Sequence, residues 1–410
     1  MSYDPLASPA LGTSTSDLIR PCDAPGPARA EPPPVKEEPA LAVALSGGGF
    51  RATLAAIGVL RFLADAGLLG RVRTVSSVSG GSVAAGIFAH GYPAVRDAEF
   101  TGAAFDAHVV RPLVDRITTE SLKQKLVRGA WKIMGSKTRT DLLAAAFDDW
   151  WLHGKRLAEL PPDVRWIINA ANIATGVRFA FERDVMGDYV VGRVSTAPTK
   201  LRVAEAVASS AAVPGALAPF QVKDVAFPCA QGRKVELLDG GAYDNMGLQA
   251  LDGERDSFLV AINAGGHFRT GNAGKIPLVR DLQRANALLY RQSTAIRRQL
   301  MVERFKAWEQ ARDREEPAPE WGRQGVLFSL ASDLPKVSPT WTARELPSWV
   351  PAGTAVERWR EELALVATSF DRFPLERCRA LLYRGWWLAG ATISTYHPDL
   401  LPTAVAWRDV

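Results

Sequence analysis

Three short glycine-rich segments contain the residue types that acyl-transfer chemistry requires. They are Gly47-Gly48-Gly49-Phe50-Arg51, the serine turn Ser77-Val78-Ser79-Gly80-Gly81, and Asp239-Gly240-Gly241. A serine hydroxyl can supply a nucleophile, and a carboxylate can supply a base. Backbone N–H groups uncovered by glycine can bind the oxyanion that forms at a carbonyl carbon. The three segments together therefore predict a nucleophile, a base and an oxyanion-binding loop.

The serine turn lies between a predicted strand, RVRTVSSV, and a predicted helix, GGSVAAGIFAHG. A serine on a sharp strand-to-helix turn exposes its hydroxyl, and small residues are needed two positions before and after it because larger ones would collide. Gly81 meets this requirement, whereas Ser77 stands where the usual G-x-S-x-G pattern has glycine. Taken alone, the motif is equally compatible with an ordinary glycine-rich turn.

The glycine loop follows the first predicted strand. Consecutive glycines allow a phosphate or an oxyanion to approach the backbone closely. The phosphate interpretation fails because no Lys-Ser/Thr pair follows the glycines, and Ala52 occupies the last position of a G-x-G-x-x-G pattern. An oxyanion hole and a simple turn remain, and a nearby nucleophile favours the first.

Asp239 ends the predicted strand KVELLD, and the two glycines after it leave the carboxylate sterically uncovered. We expect it to face a site at the carboxyl edge of a parallel sheet. A D-G-G sequence by itself is more often a turn. Each of the three segments follows a predicted strand, however, and this joint occurrence favours one shared site.

The elements that must position these residues alternate between strand and helix. LAVAL (41–45) precedes the glycine loop and the helix TLAAIGVLRFLADAG, and further strands are predicted at 164–172, 177–183, 234–239 and 257–264. This alternation predicts an α/β domain with parallel strands and right-handed crossovers. From about residue 275 the sequence becomes helical, and eight of the 12 tryptophans lie between Trp308 and Trp407.

Composition excludes several classes of protein. The chain has 410 residues, 47% hydrophobic and 23% charged, which is typical of a globular protein, and its net charge of +5 does not indicate a nucleic-acid partner. We find neither a membrane-spanning run nor a secretory signal. Three scattered cysteines predict neither a zinc site nor a disulfide, so a reducing, cytoplasmic location is expected. Nine prolines in residues 1–40 predict a flexible tail.

The motifs, taken in order, resemble those of the patatin-like phospholipases. SGGGFR, SVSGG and DGG are joined by AVASSAAVPGALAPF (206–220), which is similar to the family's Ala-Ser-x-Ala-x-Pro-x-x-x-Pro stretch, and the resemblance covers roughly residues 41–270. It implies a three-layer α/β/α fold and a lipid acyl hydrolase with a Ser-Asp dyad, acting on membrane phospholipid or another acyl lipid. No cofactor and no metal are expected.

Matched position by position, the resemblance gives each motif residue a role. Ser79 takes the place of the nucleophile and Asp239 that of the base. The Gly47–Gly49 loop with Arg51 takes the oxyanion-stabilising place. Supporting positions in the elbow and loops are Ser77, Gly81, Gly240 and Gly241, of which Ser77 departs from the usual pattern.

The expected organisation has three parts. Residues 1–40 form the tail, 41–275 the patatin-like catalytic domain, and 276–410 a helical, tryptophan-rich C-terminal extension packed on it. The segment 121–139 has six basic and no acidic residues, which is typical of a helix at a membrane surface but also of a surface helix packed on the core.

Three alternatives stay open. A Ser-Asp-His triad would need His267, which follows the strand SFLVAINA, or His397, which we expect at the surface. The enzyme could be a carboxylesterase or thioesterase acting on soluble acyl substrates. The third hypothesis is a lipid-binding protein without catalytic activity, although all motif residues are present.

Overall fold

The computed structural model describes residues 19–122, 124–125, 137–266, 277–334, 336–401 and 405–409. In this part of the chain ten strands form one sheet. They are β1 (Leu41–Leu45), β2 (Val72–Val78), β3 (Arg165–Asn172), β4 (Arg178–Phe181), β5 (Val185–Asp188), β6 (Gly192–Ser195), β7 (Phe220–Gln221), β8 (Glu236–Asp239), β9 (Phe258–Asn263) and β10 (Gly325–Ser329).

The α-helices of the same residues are α1 (Gly49–Asp65), α2 (Gly80–Asp97), α3 (Gly102–Phe105), α4 (Arg111–Thr119), α5 (Arg139–Phe147), α6 (Val203–Ser210), α7 (Gly241–Asp244), α8 (Pro277–Asp313), α9 (Val356–Ala364) and α10 (Leu375–Tyr396). Two π-helical turns continue α3 and α5, at Asp106–Val110 and Asp148–Leu152. Short 3₁₀ turns occur at Leu69–Arg71, Leu157–Glu159, Gln249–Leu251 and Pro398–Leu400.

The sheet order is β10-β9-β1-β2-β3-β4-β5-β6, with β8 paired to β3 and β7 to β8. The strands from β10 to β3 are parallel, as the alternation of strands and helices predicts. Beyond β3 the chain continues as an antiparallel meander through β4, β5 and β6. The parallel strands therefore carry the glycine loop and the serine turn at one edge of the sheet.

Both faces of the sheet are covered by helices. Successive side chains of a strand point to opposite faces, and in β1 the odd-numbered residues Leu41, Val43 and Leu45 belong to one buried apolar cluster. Ala42 and Ala44 belong to a second cluster, together with Met301 and Phe305 of α8. The predicted three-layer α/β/α fold is confirmed.

The C-terminal region is largely helical and packs on the rest of the structure. Helices α10 and α1 cross closely at a glycine on each helix. A Cβ on Gly58 would lie 2.1 Å from the Leu382 carbonyl oxygen, and a Cβ on Gly385 would lie 2.1 Å from the Ala55 carbonyl oxygen, so only glycine fits at either position. The region also contributes β10, which extends the sheet beside β9. Helix α10 and strand β10 are thus built into the layers of the domain.

The N-terminal segment contradicts one prediction. Cys22 and Cys229 form a disulfide, although 207 positions separate them. Residues 19–40 have no helix or strand, but they lie against the β5–β6 hairpin, where the Cys22 N–H donates to the Tyr189 carbonyl at 2.7 Å. The expectation of no disulfide was wrong because this packing brings the two cysteines together. Disulfides are rare in reducing compartments, so the predicted cytoplasmic location loses one of its supports.

Two further predictions concern the termini and the membrane. Residues 1–18 and most of 121–139 lie outside the described residues. The flexible tail therefore stays a prediction for residues 1–18. The membrane-surface helix at 121–139 also stays a prediction. Within the described ranges, no helix has the length and apolar character needed to cross a bilayer.

Candidate active site

Ser79 and Asp239 are brought together by two strands that share one edge of β3. Ile168 of β3 pairs with both β2 and β4, and Ala170 pairs with both β4 and β8, so β2 and β8 lie on the same side of β3. Strand β2 ends where Val78 pairs with Asn169, and antiparallel β8 ends where Asp239 pairs with Ala170. The carboxyl ends of the two strands therefore meet head-on.

This arrangement corrects the sequence-based prediction for Asp239. We expected its strand to be parallel to its neighbours, but β8 is antiparallel to both β3 and β7. The carboxylate still reaches the same place, because β8 enters from the opposite direction and stops where β2 stops. The predicted neighbourhood of serine and aspartate is present, with a different strand direction.

Ser79 has the strained backbone of a sharp strand-to-helix turn. Its φ of 52° and ψ of −117° lie outside the regions that L-residues favour, and it caps α2. A Cβ on Gly81 would lie 2.2 Å from the Leu45 carbonyl oxygen, so only glycine fits two positions after the serine. Ser77, two positions before it, is buried and donates to the Ile167 carbonyl at 3.1 Å. Serine is accommodated there by a hydrogen bond.

Ser210, at the end of α6, links the serine turn to the aspartate loop. Its hydroxyl oxygen accepts the Ser79 N–H at 2.9 Å, and its own hydroxyl donates to the Asn169 carbonyl at 2.6 Å. Its carbonyl oxygen accepts the Gly240 N–H at 3.2 Å. One residue thus holds both backbone segments, the one that carries Ser79 and the one that follows Asp239. Its role was missed, although the segment 206–220 that contains it was singled out.

The environment of Asp239 favours a base that can hold a proton. The residue is 3% exposed, and burial raises its pKa to about 6. Interactions of the carboxylate with the Gly241 N–H and with the Ser79 hydroxyl act in the opposite direction. The Gly241 N–H donates to Oδ1 at 2.8 Å. Asp239 is therefore a stronger base than an exposed aspartate, whose pKa is about 3.9.

The glycine loop lies directly against the serine turn. A Cβ on Gly47 would lie 3.1 Å from Ser79 Cβ, and one on Gly80 would lie 2.8 Å from the Gly49 nitrogen. Gly48 and Gly49 have φ values of 144° and 61°, which favour glycine. The Gly47 N–H is occupied by the Asn245 carbonyl at 2.9 Å. Within the described ranges, the N–H groups of Gly48 and Gly49 make no hydrogen bond, so they can bind an oxyanion.

The side chain of Arg51 is held by hydrogen bonds to later parts of the chain. Its side chain is 2% exposed, and the guanidinium donates to the Ala264 carbonyl at 3.0 Å and to Thr368 Oγ1 at 3.1 Å. It also donates to the carbonyls of Ala364 and Val366. Burial lowers its pKa to about 10. These bonds join the residue after the glycine loop to the C-terminal region, and the oxyanion-stabilising role of Arg51 stays a prediction.

Two further residues of the site were not foreseen. The Asn245 side-chain oxygen would lie 2.3 Å from a Cβ on Gly47 and 2.6 Å from one on Gly241, so Asn245 fills the space between the two glycine segments. Tyr290 of α8 also lies against Gly241, and burial, followed by the charge of Asp239, raises its pKa. Asn245 follows Asp239 closely in sequence and could have been considered, but nothing in the sequence connects Tyr290 to the site.

The structure excludes one of the two histidines considered for a triad. His397 is 7% exposed and packs on Phe258 and Trp308, so the expectation of a surface histidine was wrong. Phe258 begins β9, which is parallel to β1 and β2, so His397 lies at the end of the sheet opposite Ser79. His267 lies outside the described residues.

Comparisons with known proteins bear on the family and on the fold. A family model for patatin-like phospholipase matches residues 43–252, about half of the chain. Human GIVD cytosolic phospholipase A2 in complex with methyl gamma-linolenyl fluorophosphonate aligns with 14% identity and a TM-score of 0.52, over 88% of this chain and 59% of that one. A second structure of human GIVD cytosolic phospholipase A2 gives 13% identity and a TM-score of 0.52, over 88% and 60%.

The structural likenesses show a shared fold. This chain spans less than two thirds of the length of these solved structures. No curated protein matches the chain.

Proposed function

The chain belongs to the patatin-like phospholipase family, and from this premise we propose that it is a lipid acyl hydrolase with Ser79 as nucleophile and Asp239 as base. The observation that carries the proposal is the head-on meeting of β2 and β8, which brings a serine with a strained backbone to a buried carboxylate. The family implies an acyl lipid as substrate.

The proposed reaction has two halves. Asp239 accepts the Ser79 hydroxyl proton while Ser79 Oγ attacks the ester carbonyl, and the N–H groups of Gly48 and Gly49 bind the resulting oxyanion. Collapse of the tetrahedral intermediate breaks the bond to the alcohol, which leaves with the proton held by Asp239. A water molecule then attacks the acyl-enzyme, with Asp239 again accepting the proton. Breaking of the bond to Ser79 Oγ releases the fatty acid, and the proton passes from Asp239 to Ser79 Oγ.

The raised pKa of Asp239 supports the role of base, because a carboxylate with an ordinary pKa takes a proton from an alcohol poorly. The base still remains far weaker than the alkoxide it would generate. A large share of the rate must therefore come from the two loop donors, each of which contributes about 2.7 to 4 kcal/mol in comparable sites.

Contact with the membrane is a separate part of the proposal. The six basic residues of 121–139 would bring the enzyme to an anionic lipid surface. Sedimentation with phosphatidylcholine vesicles, with and without anionic lipid, tests this contact. Binding that does not depend on lipid charge would remove it without affecting the catalytic assignment.

Release of fatty acid from phospholipid vesicles tests the activity. Wild type should release fatty acid, while Ser79→Ala and Asp239→Asn should each lose at least about 100-fold in rate. Ser209→Ala is the matched control, since this buried serine donates only to the Ala206 carbonyl of its own helix. Undiminished hydrolysis by Ser79→Ala would overturn the proposal. Equal rates on vesicles and on a soluble short-chain ester would favour a carboxylesterase.

A further inference from the structure

A cavity lies on the antiparallel part of the sheet, and none of its lining residues belongs to the glycine loop or the serine turn. It has a volume of about 230 Å³. Ala180 of β4 pairs with Gly187 of β5, and Gly187 pairs with Arg193 of β6, so these three residues lie side by side across the sheet. The small residues Ala180 and Gly187 leave space on the face of the sheet, and Arg193 lies beside this space.

The walls of the cavity carry more positive than negative charge. Four arginines line it, against the carboxylates of Glu182 and Asp188. Arg29 and Arg165 share Glu182, at 2.7 Å and 2.8 Å. Arg29 comes from the N-terminal segment that the Cys22–Cys229 disulfide holds in place. The Glu182 carboxylate thus forms ion pairs with two of the four arginines.

The second carboxylate, that of Asp188, accepts hydrogen bonds mainly from its own loop. Asp188 accepts the N–H groups of Val190 and Val191, each at 2.8 Å, and the Asn172 side-chain amide at 2.7 Å. It is therefore bound to neutral donors. Its oxygens hold the β5–β6 turn in shape.

Arg178 and Arg193 are left without an acidic partner. Arg178 donates to the side-chain oxygens of Gln249 and Asn169, at 3.2 Å and 3.0 Å. In the part of the chain that the structure describes, neither arginine makes an ion pair. Burial lowers the pKa of Arg178, the charges of Glu182 and Asp244 raise it, and those of Arg165 and Arg193 lower it, so that the pKa is lowered overall. A partly buried cation beside like charges is costly unless an anion joins it.

We propose that this cavity binds a phosphate group between Arg178 and Arg193. Guanidinium groups bind phosphate oxygens through paired, charge-assisted hydrogen bonds, and two of them from different strands suit a doubly charged anion. The volume is below the range of about 300 to 1,000 Å³ typical of sites for larger ligands, so it fits a phosphate or a small headgroup rather than an acyl chain. The phosphate can belong to a soluble anion or to a lipid headgroup.

Calorimetric titration of the full-length protein with inorganic pyrophosphate tests the soluble source. Wild type should bind saturably, and Arg193→Gln should weaken binding by about 10-fold or more. Arg193 is exposed, so this variant should fold, and Arg178→Lys gives a second test that retains the charge but loses the paired donors. Arg358→Gln is the control, since Arg358 is 79% exposed on α9 and pairs with Glu362.

Vesicles of phosphatidylcholine with and without phosphatidic acid test the lipid source. Binding that requires phosphatidic acid and is weakened by Arg193→Gln supports a headgroup ligand, whereas pyrophosphate binding alone supports a soluble one. If neither probe binds wild type, or if both bind Arg193→Gln as well as they bind wild type, the site does not exist as proposed. Neither result bears on hydrolysis at Ser79.

Discussion

Asp239 lies opposite Ser79 because the strand that ends at Asp239 and the strand that precedes Ser79 pair with consecutive stretches of β3. Val78 pairs with Asn169, and Asp239 pairs with Ala170, the next residue of β3. The position of the carboxylate relative to the serine is therefore fixed by sheet hydrogen bonds rather than by a long loop. Such a pair needs little reorganisation before a proton moves between its members.

The pH dependence of the proposed reaction should follow Asp239. Only the ionised carboxylate accepts a proton, and burial raises its pKa to about 6. We expect kcat/KM to fall as pH drops through about 6, approaching about tenfold per pH unit below it. A pH–rate profile on a soluble ester measures this. A profile that is flat between pH 5 and pH 7, in the range set by this pKa, would contradict the role of Asp239.

The stability of the native state should fall as pH rises, whereas the activity should increase. Because the folded pKa of Asp239 lies above its unfolded value of about 3.9, the native state loses stability as pH rises from about 4 to about 6. Asp239→Asn removes the buried charge, so this inactive variant should be more stable than wild type at pH 7, by up to about 3 kcal/mol. Urea unfolding at pH 4 and pH 7 checks the difference.

Ser210 should act as a positioning residue. Ser210→Ala removes the acceptor of the Ser79 N–H and the donor to Asn169, so the serine turn loses its link to the aspartate loop. We expect kcat to fall by about 10- to 100-fold with KM nearly unchanged. Ser209→Ala, which loses only a bond inside its helix, should keep kcat. Equal effects of the two substitutions would show that Ser210 contributes packing alone.

The glycine loop offers a similar comparison. At Gly49, with φ of 61°, a Cβ would lie 2.5 Å from the Ser369 carbonyl oxygen, whereas at Gly67, with φ of 68°, it would meet nothing within 4 Å. Gly67→Ala should cost about 1 to 2 kcal/mol of stability through backbone strain and leave activity unchanged. Gly49→Ala should cost more and abolish hydrolysis. Active Gly49→Ala protein would mean that the loop does not form the oxyanion site.

The disulfide should stabilise the fold by closing a very long loop. Reduction, or the double substitution Cys22→Ser and Cys229→Ser, should lower the free energy of unfolding by about 2 to 5 kcal/mol. Denaturation with and without reductant measures the change, and the double variant should not respond to reductant. Titration of the denatured, unreduced protein should find one free thiol, that of Cys378. Three free thiols would contradict the pairing.

Local features were predictable because they depend on neighbours in sequence. The apolar run at 41–45 predicted a strand with the same bounds as β1. The long amphipathic stretch from Leu278 corresponds to α8 (Pro277–Asp313). The order of the motifs placed serine, aspartate and glycine loop in one site. Each of these inferences rests on periodicity or on glycine and serine at fixed spacing.

Features that depend on distant partners were not predictable. The direction of β8 is decided by its pairing with β3, more than 60 residues earlier in the chain. The guanidinium of Arg51 is held by the carbonyls of Ala264 and Val366, which lie more than 200 residues later in the chain. Strand β10 forms because the chain returns to β9 after helix α8. None of these contacts leaves a local signal.

The most direct test of the central claim is to locate the residue that a fluorophosphonate modifies. After incubation of full-length protein with the reagent, tandem mass spectrometry of peptides should find one adduct, on Ser79. The adduct should be absent from Ser79→Ala, form slowly in Asp239→Asn, and form normally in Ser209→Ala. Modification of a different serine, or equal labelling of wild type and Ser79→Ala, would contradict the assignment of Ser79 as the nucleophile.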